Sequence, residues 1–264
     1  MSILTIQNLT RRFGGLTAVD DVSFEVQPGL VTAVIGPNGA GKTTLFSLIS
    51  GFLAPSAGRI LFDDADITGS KPDEIAKLGI VRTFQLVKLF EGLSVIENVK
   101  VGRHLHTQAG LGLALFRTSS ARREEEQVEA RARELLAFVD LAHKADDSAS
   151  ALGYGQQRLL EMARALAAEP RLILLDEPAA GLNAEESARL SVLIRQIVER
   201  GTTVLLIEHD MKLVMNTADR VVVIDFGRKI AEGTPAEVKR DPAVIAAYLG
   251  EDTTAPDAQE AAHG

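Results

Sequence analysis

The chain has no cysteine among its 264 residues. Disulfides and cysteine-based metal sites are therefore excluded. Its five histidines show no metal-ligand spacing; His104 and His106 stand two apart and read as solvated. No apolar run approaches the roughly 18 residues that a membrane span requires. The longest soft stretch, AGLGLALF at residues 109–116, reads as a packed loop or short helix. The opening MSILTIQNLTRRF lacks the apolar core of a signal peptide. The expectation is a cytoplasmic chain, held at any membrane by a partner. Positive charge is also short: the formal net charge is −8, which disfavours general binding of nucleic acid. What remains is 46% hydrophobic and 24% charged, the composition of a globular protein with a sizeable core.

The most informative segment is Gly36-Pro37-Asn38-Gly39-Ala40-Gly41-Lys42-Thr43. It follows the apolar run 31–35 and precedes a helical stretch beginning at Thr44. Strand, glycine loop and helix in that order make a phosphate-binding loop. The glycines let backbone N–H groups curl around an anion, and the helix aims its positive end at the same point. Lys42 is placed to reach the β- and γ-phosphates, and the Thr43 hydroxyl to hold Mg²⁺.

A second apolar run, 172–175, ends in Asp176 and Glu177. With a phosphate loop upstream, Asp176 is placed to hold Mg²⁺ through its water shell. Glu177 is placed to polarise the attacking water or accept its proton. Gln85, in Arg82-Thr83-Phe84-Gln85, carries a neutral amide able to touch metal or water and let go; by itself it also reads as a surface glutamine. His209 closes the run that begins at Thr203 and can donate a hydrogen bond to a γ-phosphate oxygen, although a lone histidine there also reads as structural. Residues 152–158, LGYGQQR, form a glycine turn opening a helix, a second anion site of backbone N–H groups. One nucleotide per chain does not need two such sites unless the second serves a neighbour.

Around these motifs, 3–9 and 22–26 alternate as half-buried strands, Pro28-Gly29 marks a turn, and 58–62 reads as another strand. The helix after the phosphate loop is closed by Gly51. From about 86 to 166 the character is helical, with Val128, Ala132, Leu135, Leu136 and Val139 sharing one face of a charge-rich helix over 122–141. Helix 156–168 stops before Pro170, and strands 203–207 and 221–224 flank a helix over 184–199 that ends before Gly201. Buried strands alternating with helices predict an α/β fold with the helical block inserted. The expected domain is 1–250, with 251–264 a disordered tail.

The ordered set GPNGAGKT, Gln85, LGYGQQR, LILLDE and His209 resembles the ATP-binding subunit of an ABC transporter across roughly residues 4–250. The resemblance implies a P-loop ATPase cassette with a mixed core sheet, an N-terminal antiparallel β portion and a helical insertion at about 86–166. It implies a head-to-tail pair with a second ATPase subunit, identical or homologous. Residues 36–44, Thr44 included, would hold ATP and Mg²⁺, with Phe13 stacked on the adenine. Gly153, Tyr154, Gly155 and Gln156 would cover the partner's γ-phosphate, and 179–183 would cross the dimer seam. The roles given to Lys42, Gln85, Asp176, Glu177 and His209 match those of the family.

Finer features are similar to the branch that imports branched-chain amino acids and related small solutes. They are Phe13-Gly14-Gly15-Leu16, QLVKLFEGLSVIENV, LGYGQQR, DEPAAGLN and Tyr248-Leu249-Gly250. That branch implies two membrane permeases, a periplasmic binding protein and a peripheral place on the cytoplasmic face of the inner membrane. Two positions depart from the family pattern: Gly153-Tyr154 stands where Ser-Gly is usual, and Asn183 where aspartate is common. The lost serine hydroxyl predicts a weakened site. The alternatives are a cassette for lipid or lipopolysaccharide traffic, and a soluble ABC ATPase acting on nucleic acid or ribosomes. The single cassette and the acidic balance disfavour the latter.

Overall fold

The computed structural model describes residues 1–83, 88–103 and 119–252. In chain order, β1 (Leu4–Phe13), β2 (Leu16–Val26) and β3 (Val31–Ile35) lead into helix α1 (Lys42–Ile49). Then come β4 (Ala57–Phe62), β5 (Ala65–Asp66), α2 (Pro72–Lys77) and β6 (Ile80–Arg82). Helices α3 (Val95–Gly102), α4 (Ser119–Phe138) and α5 (Tyr154–Ala167) follow. The chain continues through β7 (Leu172–Asp176), α6 (Ala184–Glu199), β8 (Thr203–Ile207) and α7 (Met211–Thr217). It closes with β9 (Arg220–Asp225), β10 (Arg228–Gly233), α8 (Pro235–Val238) and α9 (Pro242–Asp252).

Two sheets result. One is antiparallel, in the order β2-β1-β4-β5. The other runs β10-β9-β3-β8-β7-β6; its pairings are parallel except the β9–β10 hairpin at one edge. Every residue of β3, β7 and β8 is buried. That follows from their near-continuous apolar sequences, which suit a parallel sheet covered on both faces. Side chains alternate across the sheet. Leu172 and Leu174 join the core formed with β1, β2, β4 and α1. Ile173 and Leu175 join the core formed with α3, α4, α5 and α6. A third cluster packs Val238 of α8 and Val244 of α9 on Ala33, Ile35, Val221 and Val223.

The helical face expected along α4 is buried at Ala132, Leu135 and Leu136, with Val139 buried just past the helix end. Helix α4 therefore stops three residues short of the predicted Leu141, where Asp140 takes a left-handed φ of 60°. Helix α3 begins at a reciprocal cap: Ser94 Oγ accepts from Glu97 N–H, and the Glu97 carboxylate accepts from Ser94 N–H. Those bonds hold the Glu97 carboxyl below the usual carboxylate range. Among the described residues no helix is long and apolar enough to cross a membrane. The predicted loop at 109–116, the pair His104 and His106, and tail residues 253–264 lie outside the described residues; residues 251 and 252 belong to α9.

Candidate active site

Strand register assembles the site. Val34 pairs with Ile207, and Ile207 pairs with Asp176, so β3, β8 and β7 end along one edge. Gly36, Glu177 and Glu208 each follow directly on those strand ends. Ligands of parallel α/β sheets bind at this carboxyl edge.

The loop between β3 and α1 is shaped by contacts that only glycine permits. Gly36 has φ +150°, and a Cβ there would lie 1.9 Å from the Ile224 carbonyl oxygen. Gly41 has φ +99°, and its Cβ would lie 2.2 Å from the Ala18 carbonyl oxygen. The loop is thus pressed against β9 on one side and β2 on the other. The Gly227 N–H, in the β9–β10 turn, also donates to the Ala40 carbonyl at 3.0 Å. Lys42, only 6% exposed, donates from Nζ to the carbonyls of Gly36 at 2.6 Å and Pro37 at 2.8 Å. Its ammonium therefore sits over the mouth of the loop. Thr43 presents an exposed side chain on the first turn of α1, and Thr44 is half-buried beside it. Gly36→Ala is expected to destabilise the fold by more than about 1 kcal/mol and to abolish nucleotide binding, because the backbone carbonyl it meets cannot rotate away. Thermal unfolding and nucleotide titration of that variant check this.

Asp176 is 2% exposed at the end of β7. Its Oδ2 accepts from Arg82 Nη2 at 2.6 Å, while Oδ1 is buried with no hydrogen-bond partner among the described residues. A buried carboxylate oxygen left without a donor is a place for a cation or its water. Among the described residues no three metal-binding side chains cluster. Mg²⁺ takes one or two protein oxygens and completes its shell with water and substrate phosphate. Asp176 and Thr43 fit as those oxygens.

Glu177 leaves the sheet in the left-handed region at φ +48°, and its N–H donates to the Ile207 carbonyl at 3.0 Å. This left-handed turn carries the chain off the strand directly after Asp176. His209 has a side chain 59% exposed beyond β8. Phe13 stands at the tip of the β1–β2 hairpin, opposite Leu16, and is 41% exposed. The Arg11 guanidinium covers one ring face, 4.5 Å from the centroid. Because Ala18 of the same hairpin abuts Gly41, the tip flanks the phosphate loop. Gln85 lies outside the described residues; β6, three residues before it, runs beside β7.

The remaining candidates sit at the head of α5. Gly153 precedes the helix with φ −65° and ψ 159°, and its N–H donates to Gln156 Oε1 at 3.3 Å. Tyr154 packs on the next turn: a Cβ on Gly181 would meet its ring at 2.8 Å. A Cβ on Gly155 would meet Glu186 Oε1 at 2.8 Å. Asn183, read from sequence only as a missing charge, caps α6: its Oδ1 accepts from the N–H groups of Glu185 and Glu186, each at 3.0 Å. Two further residues escaped the sequence reading, Arg82 and Glu208. Each puts a buried charged side chain at or just past the end of an apolar run, and that charge is the available signal.

A phosphate loop beside a carboxylate-ended strand, on a mixed sheet carrying an antiparallel β layer and a helical block, defines a P-loop ATPase cassette. The sequence matches the family described as ABC transporter over residues 19–180 and the one described as branched-chain amino acid ATP-binding cassette transporter over residues 228–254. The chain belongs to the ABC transporter family, as an ATP-binding subunit of the branched-chain amino acid transport group. It is 47% identical over 250 residues to the high-affinity branched-chain amino acid transport ATP-binding protein BraF of Pseudomonas aeruginosa, covering 94% of this chain and 98% of that one. The corresponding protein LivG of Escherichia coli K12 is 46% identical with the same coverage. A solved nucleotide-free cassette of an ABC transporter superposes with TM-score 0.82 at 37% identity, covering 94% of this chain and 99% of that one. A cassette in its ADP conformation gives 0.83 at 38%, covering 95% and 99%. The chain is an ATP-hydrolysing enzyme, and its cassette fold is one that binds ATP with Mg²⁺.

Proposed function

We propose that this chain powers a permease importing branched-chain amino acids or related small solutes. The observation that carries the solute class is the match at residues 228–254, which lies outside the catalytic loops. The described part of that range, 228–252, includes β10, α8 and α9, packed on the outer flank of β3 and β9. The named relatives are high-affinity branched-chain amino acid transport ATP-binding proteins.

In this reading the backbone N–H groups of residues 36–43 cradle the phosphates, and Lys42 turns its ammonium from the loop carbonyls to the β- and γ-phosphates. Mg²⁺, when bound, neutralises phosphate charge. Thr43, Gln85 and Asp176 would hold it. Glu177 orients the attacking water and takes its proton on the carboxylate. His209 donates to a γ-phosphate oxygen, and Phe13 offers the ring face away from Arg11 to the adenine. Residues 153–156 serve the nucleotide of a second cassette, with 179–183 at the seam. Two permeases and a periplasmic binding protein complete the assembly at the cytoplasmic face of the inner membrane.

The Gly153 position tests the weakened-site reading. A Cβ at Gly153 meets nothing within 4 Å, and its backbone is extended, as a helix N-cap requires. Gly153→Ser is expected to raise stability by a few tenths of a kcal/mol. With the partner cassette present it is also expected to raise turnover. Thermal melts and ATPase assays read the two effects separately; unchanged turnover would remove the weakened-site reading.

The function is tested by affinity capture of the Glu177→Gln chain with ATP from detergent-solubilised membranes of its own cell. Two multi-span permeases and a second ATPase are the expected partners. Uptake of labelled leucine by the reconstituted complex, lost with Lys42→Ala, would establish the solute class. Capture of ribosomes, nucleic acid or a lipid-transport permease instead would overturn it.

A further inference from the structure

Glu208 has no solvent exposure, 0%, and lies between the end of β8 and His209. A buried carboxylate persists only where donors or a cation satisfy it. Here the donors are three backbone N–H groups. Oε1 accepts from Ala179 at 2.8 Å, and Oε2 accepts from His209 at 2.9 Å and Asp210 at 3.1 Å. Among the described residues, its one ion-pair contact within 4.0 Å is the His209 imidazole, at that limit.

The donors belong to two separate loops. Ala179 lies two residues beyond Glu177, in the turn leading to α6; His209 and Asp210 lead into α7. The loops and the elements flanking them meet twice more nearby. Glu177 N–H donates to the Ile207 carbonyl, and Ser187 Oγ of α6 donates to Asp210 Oδ2 at 3.2 Å. Asp210 Oδ1 in turn caps α7 by accepting from Lys212 and Leu213 N–H. An apolar residue at 208 would leave three N–H groups without their acceptor, that of Ala179 in the interior. An amide would accept at one end and set its NH₂ against a donor at the other. Only a carboxylate accepts at both ends.

We propose that Glu208 is a positioning residue for hydrolysis. It ties the backbone following Glu177 to the backbone of His209, so that the group facing the attacking water and the group facing the γ-phosphate keep one spacing. Closing or opening of either loop is thereby transmitted to the other. The inference rests on the hydrolytic roles given above to Glu177 and His209.

The test is Glu208→Gln in the full chain. Without nucleotide, amide hydrogen exchange at Ala179, or at His209 and Asp210, is expected to accelerate about tenfold or more, the equivalent of one lost charge-assisted hydrogen bond. Leu174 and Leu205 in the strands are expected to keep their protection. In the ATPase assay kcat is expected to fall about 10- to 100-fold with the KM for ATP within about threefold, the signature of misplacement rather than lost binding. In a His209→Ala background the same change is expected to add little, because both act through one unit. If Glu208→Gln does not fold, Glu208→Asp keeps the charge and shortens the reach; it should release Ala179 and retain the other two bonds, with the same loss in kcat. Unchanged exchange, a loss residing in KM, or additive losses in the double variant would each overturn the proposal. The exchange measurement needs no turnover, so a wild-type chain that fails to hydrolyse ATP would count against the proposed function alone.

Discussion

Glu177→Gln is expected to lower ATP turnover by about two to four orders of magnitude while leaving ATP affinity within a few-fold. The carboxylate follows the buried end of β7, and its backbone is turned out of the sheet at φ +48°. That turn, anchored by the bond from Glu177 N–H to the Ile207 carbonyl, places the side chain at the shared strand edge rather than in the core. Glutamine keeps the length, the shape and the backbone strain, so folding stability should change by less than about 0.5 kcal/mol. What it loses is the ability to take a proton from water. Single-turnover hydrolysis and nucleotide titration separate the two quantities. A variant that still hydrolyses within tenfold of wild type would remove Glu177 from the proton-accepting role.

The second large effect concerns stability. Arg82→Met is expected to cost about 3–5 kcal/mol, because it removes one member of a buried ion pair and leaves the other charged. The side chains of Arg82 and Asp176 are 7% and 2% exposed, and Nη2 meets Oδ2 at 2.6 Å. Arg82 Nη1 also donates to Ser47 Oγ at 3.2 Å and Ser50 Oγ at 3.1 Å, and the guanidinium lies 5.8 Å from the centre of the Phe46 ring. One side chain thus joins β6 to β7 and to the helix following the phosphate loop. Methionine fills the volume but supplies neither charge nor donors. Arg82→Lys should recover only part of the loss, since an ammonium cannot reproduce the planar fork that reaches the carboxylate and the serines together. Urea unfolding measures both; a loss below about 1 kcal/mol for Arg82→Met would show that the pair contributes little beyond its desolvation cost.

The two predictions differ in how their residues were found. Glu177 was visible in the sequence because an apolar strand ending in adjacent acids is a local pattern, and the glycine loop upstream gives it a meaning. The same holds for Gly36, Gly41 and Lys42, whose spacing is set by backbone angles and side-chain reach over a few residues. Arg82 was not visible in this way. Its partner stands 94 positions away, and the two meet only because β6 pairs with β7 in one register. Glu208 is a similar case, with Ala179 29 positions distant. Of the β9–β10 hairpin only the first strand is legible, because β10, RKIAEG, has neither an alternating pattern nor a continuous apolar run.

The sequence by itself determined the alternation of buried strands and helices, the phosphate loop, the paired acids after β7 and the family to which they point. Each of these rests on short-range physics: side-chain period, glycine dihedrals and charge at a strand end. Tertiary structure alone decided which strand ends share an edge, which carbonyls press on Gly36 and Gly41, and which charges are buried against one another. Those depend on sheet order, β10-β9-β3-β8-β7-β6, and on register across it. Strand order is chosen by long-range packing of the three cores, and no local pattern encodes it.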